Sequence, residues 1–186
     1  AARVSDPGVT IRDLQATLTQ GGDSLLFDVA HAALPNTELK GAGRLSWPRD
    51  TVLFDFAMES PLVDLVDLHW ISPSFPALAG RGRVRATSVS GSRTEYDIRD
   101  LHLSDPRSRV DGDLVAITDV YRGLGVRNLA VRLTDLDLEA VRPYLDTLPF
   151  QGRLSGFLRA AGFFDRMDLT LDWVFRDARV PDWSES

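Results

Sequence analysis

From Gly152 to Arg176 the chain alternates apolar and polar residues in two runs joined at Gly162 to Arg166. In the second run Met167, Leu169, Leu171, Trp173 and Phe175 point one way. Asp168, Thr170, Asp172 and Arg176 point the other. A period of two belongs to β-strands, whose successive side chains leave opposite faces of the backbone. The stretch therefore predicts a long antiparallel hairpin with one apolar and one wet face. The same alternation recurs along most of the chain, so any fold must house a large one-sided sheet.

The composition narrows the function classes. The 186 residues suit one domain or one segment of a longer array. With 44% hydrophobic and 26% charged residues the chain is one that folds. A net charge of −6 argues against nucleic acid, whose binding depends on neutralising phosphates, and against loose attraction to anionic lipid surfaces. The absence of cysteine excludes disulfides and thiolate metal sites. No apolar run approaches the ~18 residues of a membrane span, and the first residues, Ala1 to Asp6, lack the apolar core of a signal peptide. If the chain belongs at a membrane, its anchor is expected outside this sequence.

Strands are predicted over about 9–18, 24–33, 37–47, 51–58, 80–89, 94–103, 108–117, 124–134, 151–161 and 166–177. Short turn sequences separate several of them, including Gly21-Gly22-Asp23, Trp47 to Asp50, Ser90-Gly91-Ser92 and Ser104-Asp105-Pro106. Strands joined so tightly pair antiparallel with their neighbours, which gives a meander. Two segments carry helical spacing instead: Pro61 to Ile71, with Leu62, Leu65, Val66 and His69 on one side, and Asp137 to Thr147, with Leu138, Val141 and Leu145. Pro143 should shorten or kink the second. Both are predicted to be short crossover helices.

Each predicted helix is followed by a proline and a Gly-Arg strand, at Pro76…Gly80-Arg81 and Pro149…Gly152-Arg153, with the two glycines 72 positions apart. Gly43-Arg44-Leu45-Ser46 repeats Gly152-Arg153-Leu154-Ser155. The expectation is an internally repetitive chain with units near 37–79, 80–150 and 151–186. The order of short helix, Leu148-Pro149, Gly152 to Gly156, strand, Gly162 and the alternation from Met167 to Phe175 resembles the repeats of the TamB/AsmA-like family. That resemblance implies an all-β fold: a long antiparallel meander curled into an open β-groove. It also implies a periplasmic segment of an inner-membrane-anchored bridge protein in a Gram-negative bacterium. Phospholipid transport between the two membranes is the implied function, as part of outer-membrane biogenesis. The implied partners are phospholipid acyl chains, an outer-membrane β-barrel assembly protein and flanking repeats of the same chain. No cofactor is implied.

Physical reasoning leads to a related picture. Ten strands at ~4.8 Å spacing make a sheet roughly 50 Å wide, far more than two short helices can cover. The sheet must fold into a sandwich, close into a barrel, or remain a groove around something apolar. By phase, the lining residues are Leu25, Phe27 and Val29; Val52, Phe54 and Phe56; Leu129, Val131 and Leu133; Leu154 and Leu158; and Met167, Leu169, Leu171, Trp173 and Phe175. Such residues offer burial without hydrogen-bond selectivity, which suits acyl chains as well as an ordinary core. On the wet face Arg81, Arg83 and Arg85, with Arg107, Arg109, Asp111 and Asp113, form expected charge ladders.

Catalytic patterns are poor. His31, His69 and His102 are far apart and lack metal-ligand spacing. Asp111-Gly-Asp113 and Asp135-Leu-Asp137 are i, i+2 pairs expected to share the solvated face of a strand. Gly80-Arg-Gly82 lacks the rest of a dinucleotide loop. No enzyme is expected. The alternatives to lipid transport are a scaffold that guides outer-membrane proteins by strand addition and an unrelated β-sandwich binding module. The second would show clustered aromatics, and Trp47, Trp70 and Trp173 are not clustered in sequence.

Overall fold

A computed structural model describes residues 2–3, 10–48, 51–69, 77–90, 92–140, 151–163 and 165–177. Strands β1 (Ala2–Arg3) and β2 (Thr10–Ile11) form a small two-stranded ladder. The other ten strands form one antiparallel sheet in strict chain order. They are β3 (Asp13–Gly21), β4 (Ser24–Ala33), β5 (Glu38–Ser46), β6 (Leu53–Asp64), β7 (Ala79–Ser90), β8 (Arg93–Ser104), β9 (Arg109–Asp119), β10 (Gly123–Asp137), β11 (Gly152–Phe163) and β12 (Arg166–Asp177). The sheet does not close, since β3 and β12 are its two edges. The expected open meander is therefore the fold, and among the described residues no second sheet packs on it to make a sandwich.

The first predicted crossover helix is shorter than its spacing implies. β6 runs on through Pro61 to Asp64, and only Leu65–Leu68 form a 3-10 turn, capped by Asp64, which accepts from the Val66 N–H at 2.9 Å. Leu62 consequently sits on a strand and is exposed, as is Val66. The second segment begins as strand and passes into a 3-10 turn at Leu138–Ala140. Val141, Pro143, Leu145, Leu148 and Pro149 lie outside the described residues, as do Trp70, Ile71 and Pro76.

Cross-strand register places the apolar side chains in continuous rows. Leu25, Leu45 and Phe54 are successive partners on β4, β5 and β6, and Phe27, Gly43 and Phe56 are the next row. At the other end Val131, Leu158 and Leu171 align, as do Leu133, Gly156 and Trp173. Directly opposed residues share a face, so these rows form one apolar surface running along the strand-stacking direction.

That surface bends along a line of irregularities. Register shifts interrupt β4 after Val29, β6 after Ser60, β8 after Ile98 and β10 after Val126 and Leu133. Three of these bulges hold a residue at positive φ: Asp100 (51°), Asn128 (53°) and Asp135 (47°). The strands between carry glycine at the same level. A Cβ on Gly41 or Gly112 would overlap the carbonyl oxygen of Ala57 or Ala130 on the next strand. Bulges and glycine bends are the devices that curl a sheet. Side chains satisfy the disrupted ladder: the Asp100 N–H donates to Asp113 at 2.9 Å and the Asp135 N–H to the Ser155 hydroxyl at 2.9 Å.

The elements also recur at a near-constant interval. Gly41 and Gly112 are 71 positions apart, and so are Thr37 and Ser108. Those last two are buried residues that close matching turns, Leu34 N–H to Thr37 O at 2.8 Å and Asp105 N–H to Ser108 O at 3.0 Å. The 3-10 turns follow β6 and β10, four strands apart. By this correspondence β4, β8 and β12 are equivalent strands, as are β5 and β9. The ten strands cross the expected unit boundaries without interruption.

Candidate apolar groove

The apolar face divides into a closed and an open part. Val131, Leu133, Leu136 and Leu154 are buried together under Leu138 from the second 3-10 turn, with Val110, Leu129, Leu158 and Phe175 packed against them. Each such side chain contributes about 1.5–3 kcal/mol on burial. Val131 is only 6% exposed, so this part is core. Toward the edges the face is uncovered. Leu169 is 61% exposed, Trp173 47% and Leu18 60%. Leu25, Phe27, Val29, Phe54, Phe56, Met167 and Leu171 are half-buried. Phe56 packs edge-on to Phe27 and stacked with Phe54, both with centroids 5.7 Å apart, and Trp173 lies 6.1 Å from Phe175. These rings pack against one another while leaving apolar surface free.

Of the residues expected to line the groove, all but one share this face by register. Val52 precedes the first residue of β6 and is exposed in the connection from β5. The strand pattern that pairs Phe54 and Phe56 with β5 does not reach it.

The opposite face carries paired charge. Asp55 accepts two hydrogen bonds from Arg85, at 2.9 and 2.6 Å. The Arg85 hydrogen bonds hold the Asp55 carboxyl below its ordinary value, and Asp55 raises Arg85 in turn. Arg83 pairs with Asp100, and Lys40 with Glu59 at 3.5 Å. His102 and Asp111 meet at 2.6 Å across β8 and β9. Asp113 is used by the Asp100 bulge, and Asp135 is itself a bulge residue, so it and Asp137 are not the regular i, i+2 strand pair expected. Arg107 lies in a turn and not in a ladder. There its N–H donates to Asp105 at 2.7 Å. Among the described residues no cluster of His, Asp and Glu is arranged to hold a metal.

A concavity of about 650 Å³ lies on this wet face and not in the groove. Its floor contains Ala30, Ala42 and Ala57, ringed by the longer Lys40, Glu59, Arg83, Arg85 and Arg99. It is a dip left by small side chains among long ones. The ion pairs around it balance its charge, so it offers little to an anion.

One feature of the wet face escaped the sequence. Val115, Ile117 and Phe163 are buried there as a second apolar cluster. Register sets Ile117 and Phe163 on either side of Gly125, and the Arg122 guanidinium covers the Phe163 ring at 3.8 Å. Arg127 and Arg93 both reach Glu95 beside it, at 2.7 and 2.6 Å. The unbroken apolar run Leu114 to Ile117 was the available signal, since a strand with one wet face should have alternated.

Comparison of the chain with protein-family models, curated proteins and solved structures returns no significant match.

Proposed function

We propose that the chain is a lipid-carrying segment of a periplasmic bridge protein anchored in the inner membrane of a Gram-negative bacterium. In this reading its apolar face conducts phospholipid acyl chains between the inner and outer membranes. The observation that carries this reading is the continuity of the apolar face across ten strands, with uncovered rows at both ends. An exposed apolar surface of that extent is costly in water and marks a binding surface. Its residues supply area and no hydrogen bonds, and acyl chains bind in proportion to area at ~25 cal/mol per Å². Bulges and close-packed glycines are devices that curl a sheet, and a curled apolar face suits an acyl chain. The paired charges behind it keep the outer side in water.

The test is a photo-crosslinking side chain placed at Phe54, Leu169 or Trp173 in the full-length protein in cells. Lipid adducts at these sites, and none at Asp168 or Arg85 on the wet face, are the expected result. Val131 is a poor probe because its contacts are already filled. A well-folded protein without adducts at any of the three open positions would overturn the proposal.

A further inference from the structure

The wet face holds a second concavity, of about 400 Å³, where Arg81 from β7, His102 and Ser104 from β8, and Arg109 and Asp111 from β9 come together. Register decides its charge. Farther along the same face Arg83 pairs with Asp100, Arg85 with Asp55 and Arg99 with Asp97, so those guanidiniums are already held. The register shift between Arg81 and Arg83 breaks that pattern. Arg81 lies opposite His102, and Arg109 lies opposite Ser104 and Thr134, none of them an acid. The β6 residues of the lining, Pro61 and Leu62, are uncharged. Neither arginine side chain makes a hydrogen bond or ion pair with any described residue. The carboxylate in the lining, Asp111, is engaged by His102 at 2.6 Å and has Arg132 as its other cross-strand partner. Two guanidiniums are thus left in surplus, in a chain whose net charge is −6.

We propose that Arg81 and Arg109 form a binding site for a phosphate group, on the face opposite the apolar groove. They stand on strands two apart in the sheet, β7 and β9, a separation of about 10 Å by ordinary strand spacing. A phosphate with a guanidinium on each side fills such a span. The planar guanidinium grips phosphate oxygens through paired N–H donors, which gives geometry as well as charge. A phosphate monoester carries about −1.5 to −2 near neutral pH, the charge that two guanidiniums match. A carboxylate would leave one of them uncompensated. The Ser104 hydroxyl, opposite Arg109 on β8, is a further donor. The concavity ringed by Lys40, Glu59 and Arg85 lacks this property, because its cations already have partners. The phosphate site is separate from the groove and does not depend on the groove carrying lipid.

The test is a phosphorus NMR titration of inorganic phosphate with the full chain, near neutral pH and at low ionic strength, where exposed charges are least screened. Arg81→Gln and Arg109→Gln should each weaken binding about tenfold, the usual scale for losing a charged hydrogen-bond partner. Arg85→Gln, whose guanidinium is already held by Asp55, should leave binding unchanged. Arg81→Lys and Arg109→Lys, which keep the charge and lose the fork, should retain part of it. Circular dichroism checks that each variant folds. Flotation with phosphatidylcholine vesicles containing phosphatidic acid identifies the source of the phosphate. Flotation that fails in Arg81→Gln and Arg109→Gln assigns the site to a lipid headgroup, and phosphate binding without flotation assigns it to a soluble phosphate compound. Binding to neither probe, undiminished binding in folded Arg81→Gln and Arg109→Gln, or an equal loss in Arg85→Gln would overturn the proposal.

Discussion

The ring of Phe56 fills the space in which a side chain on its cross-strand partner Gly43 would sit. In the row Phe27, Gly43, Phe56, Ala86 large and small residues thus alternate from strand to strand, with the aromatic ring over the glycine. Gly43→Ala must displace that ring, a change of the overpacking kind that costs about 1–3 kcal/mol. Gly41→Ala meets the Ala57 carbonyl instead, and the strand itself has to move. The expected order of stability in urea denaturation is wild type, then Gly43→Ala, then Gly41→Ala. Gly21→Ala has open space around it and should stay within ~0.5 kcal/mol of wild type. Equal losses at Gly41 and Gly43 would contradict the geometry.

Asn128 occupies the left-handed region, at φ 53°, in the middle of the longest strand. Asn tolerates that conformation better than other side chains with a Cβ, and a β-branched residue tolerates it least. Asn128→Gly should leave thermal stability unchanged or raise it slightly. Asn128→Val should lower it by about 1–2 kcal/mol. Thermal melts of the two variants decide the matter, and a Val variant as stable as wild type would mean that β10 has no bulge there.

The strands were legible because alternation is a local signal: β4 and β12 occupy the residues their patterns predict. The curl was not legible in the same way. It depends on cross-strand neighbours, such as Asp100 beside Gly112 and Asp135 beside Gly156, that join residues separated in sequence. Pro61 to Asp64 misled for a related reason. Leu62 and Leu65 fit a helical period, but pairing with β5 and β7 holds the segment extended. At the candidate groove, phase identified which residues share a face. It could not separate Val131, packed beneath Leu138, from Leu169, which is open, because cover comes from a distant turn.

Acid should weaken the fold through Asp55 and Asp105. Arg85 holds the Asp55 carboxyl below its ordinary value of 3.8, and the Ser108 and Arg107 backbone N–H groups do the same for Asp105. The folded chain therefore keeps both ionised to lower pH than the unfolded chain does. Their contribution is complete above the unfolded value and is lost as pH falls through the depressed folded values. Denaturation midpoints should be flat in this respect above about pH 5 and fall below about pH 4. Asp55→Asn should flatten part of that fall. A variant with the same acid slope as wild type would show that Asp55 and Arg85 do not stay paired in solution.

The division of the apolar face into closed and open parts predicts two different responses to the same chemical change. Leu154→Asp introduces a carboxylate into the cluster under Leu138, where an unpaired charge is expensive, and should leave the protein unfolded or very poorly expressed. Leu169→Asp places the same group on the same face at an edge where water already reaches it. That variant should fold, with a strand-dominated circular dichroism spectrum and a melting temperature close to wild type. Yet it should lose most co-purifying lipid, because a charge now interrupts the surface an acyl chain would follow. Asp168→Ser, one residue away on the wet face, should change neither property. Mass spectrometry of lipid extracted from the three purified proteins, read beside their melting curves, separates the possibilities. If Leu169→Asp folds and retains wild-type lipid, the open rows do not carry chains. If it unfolds as Leu154→Asp does, β12 is covered and the edge is not open.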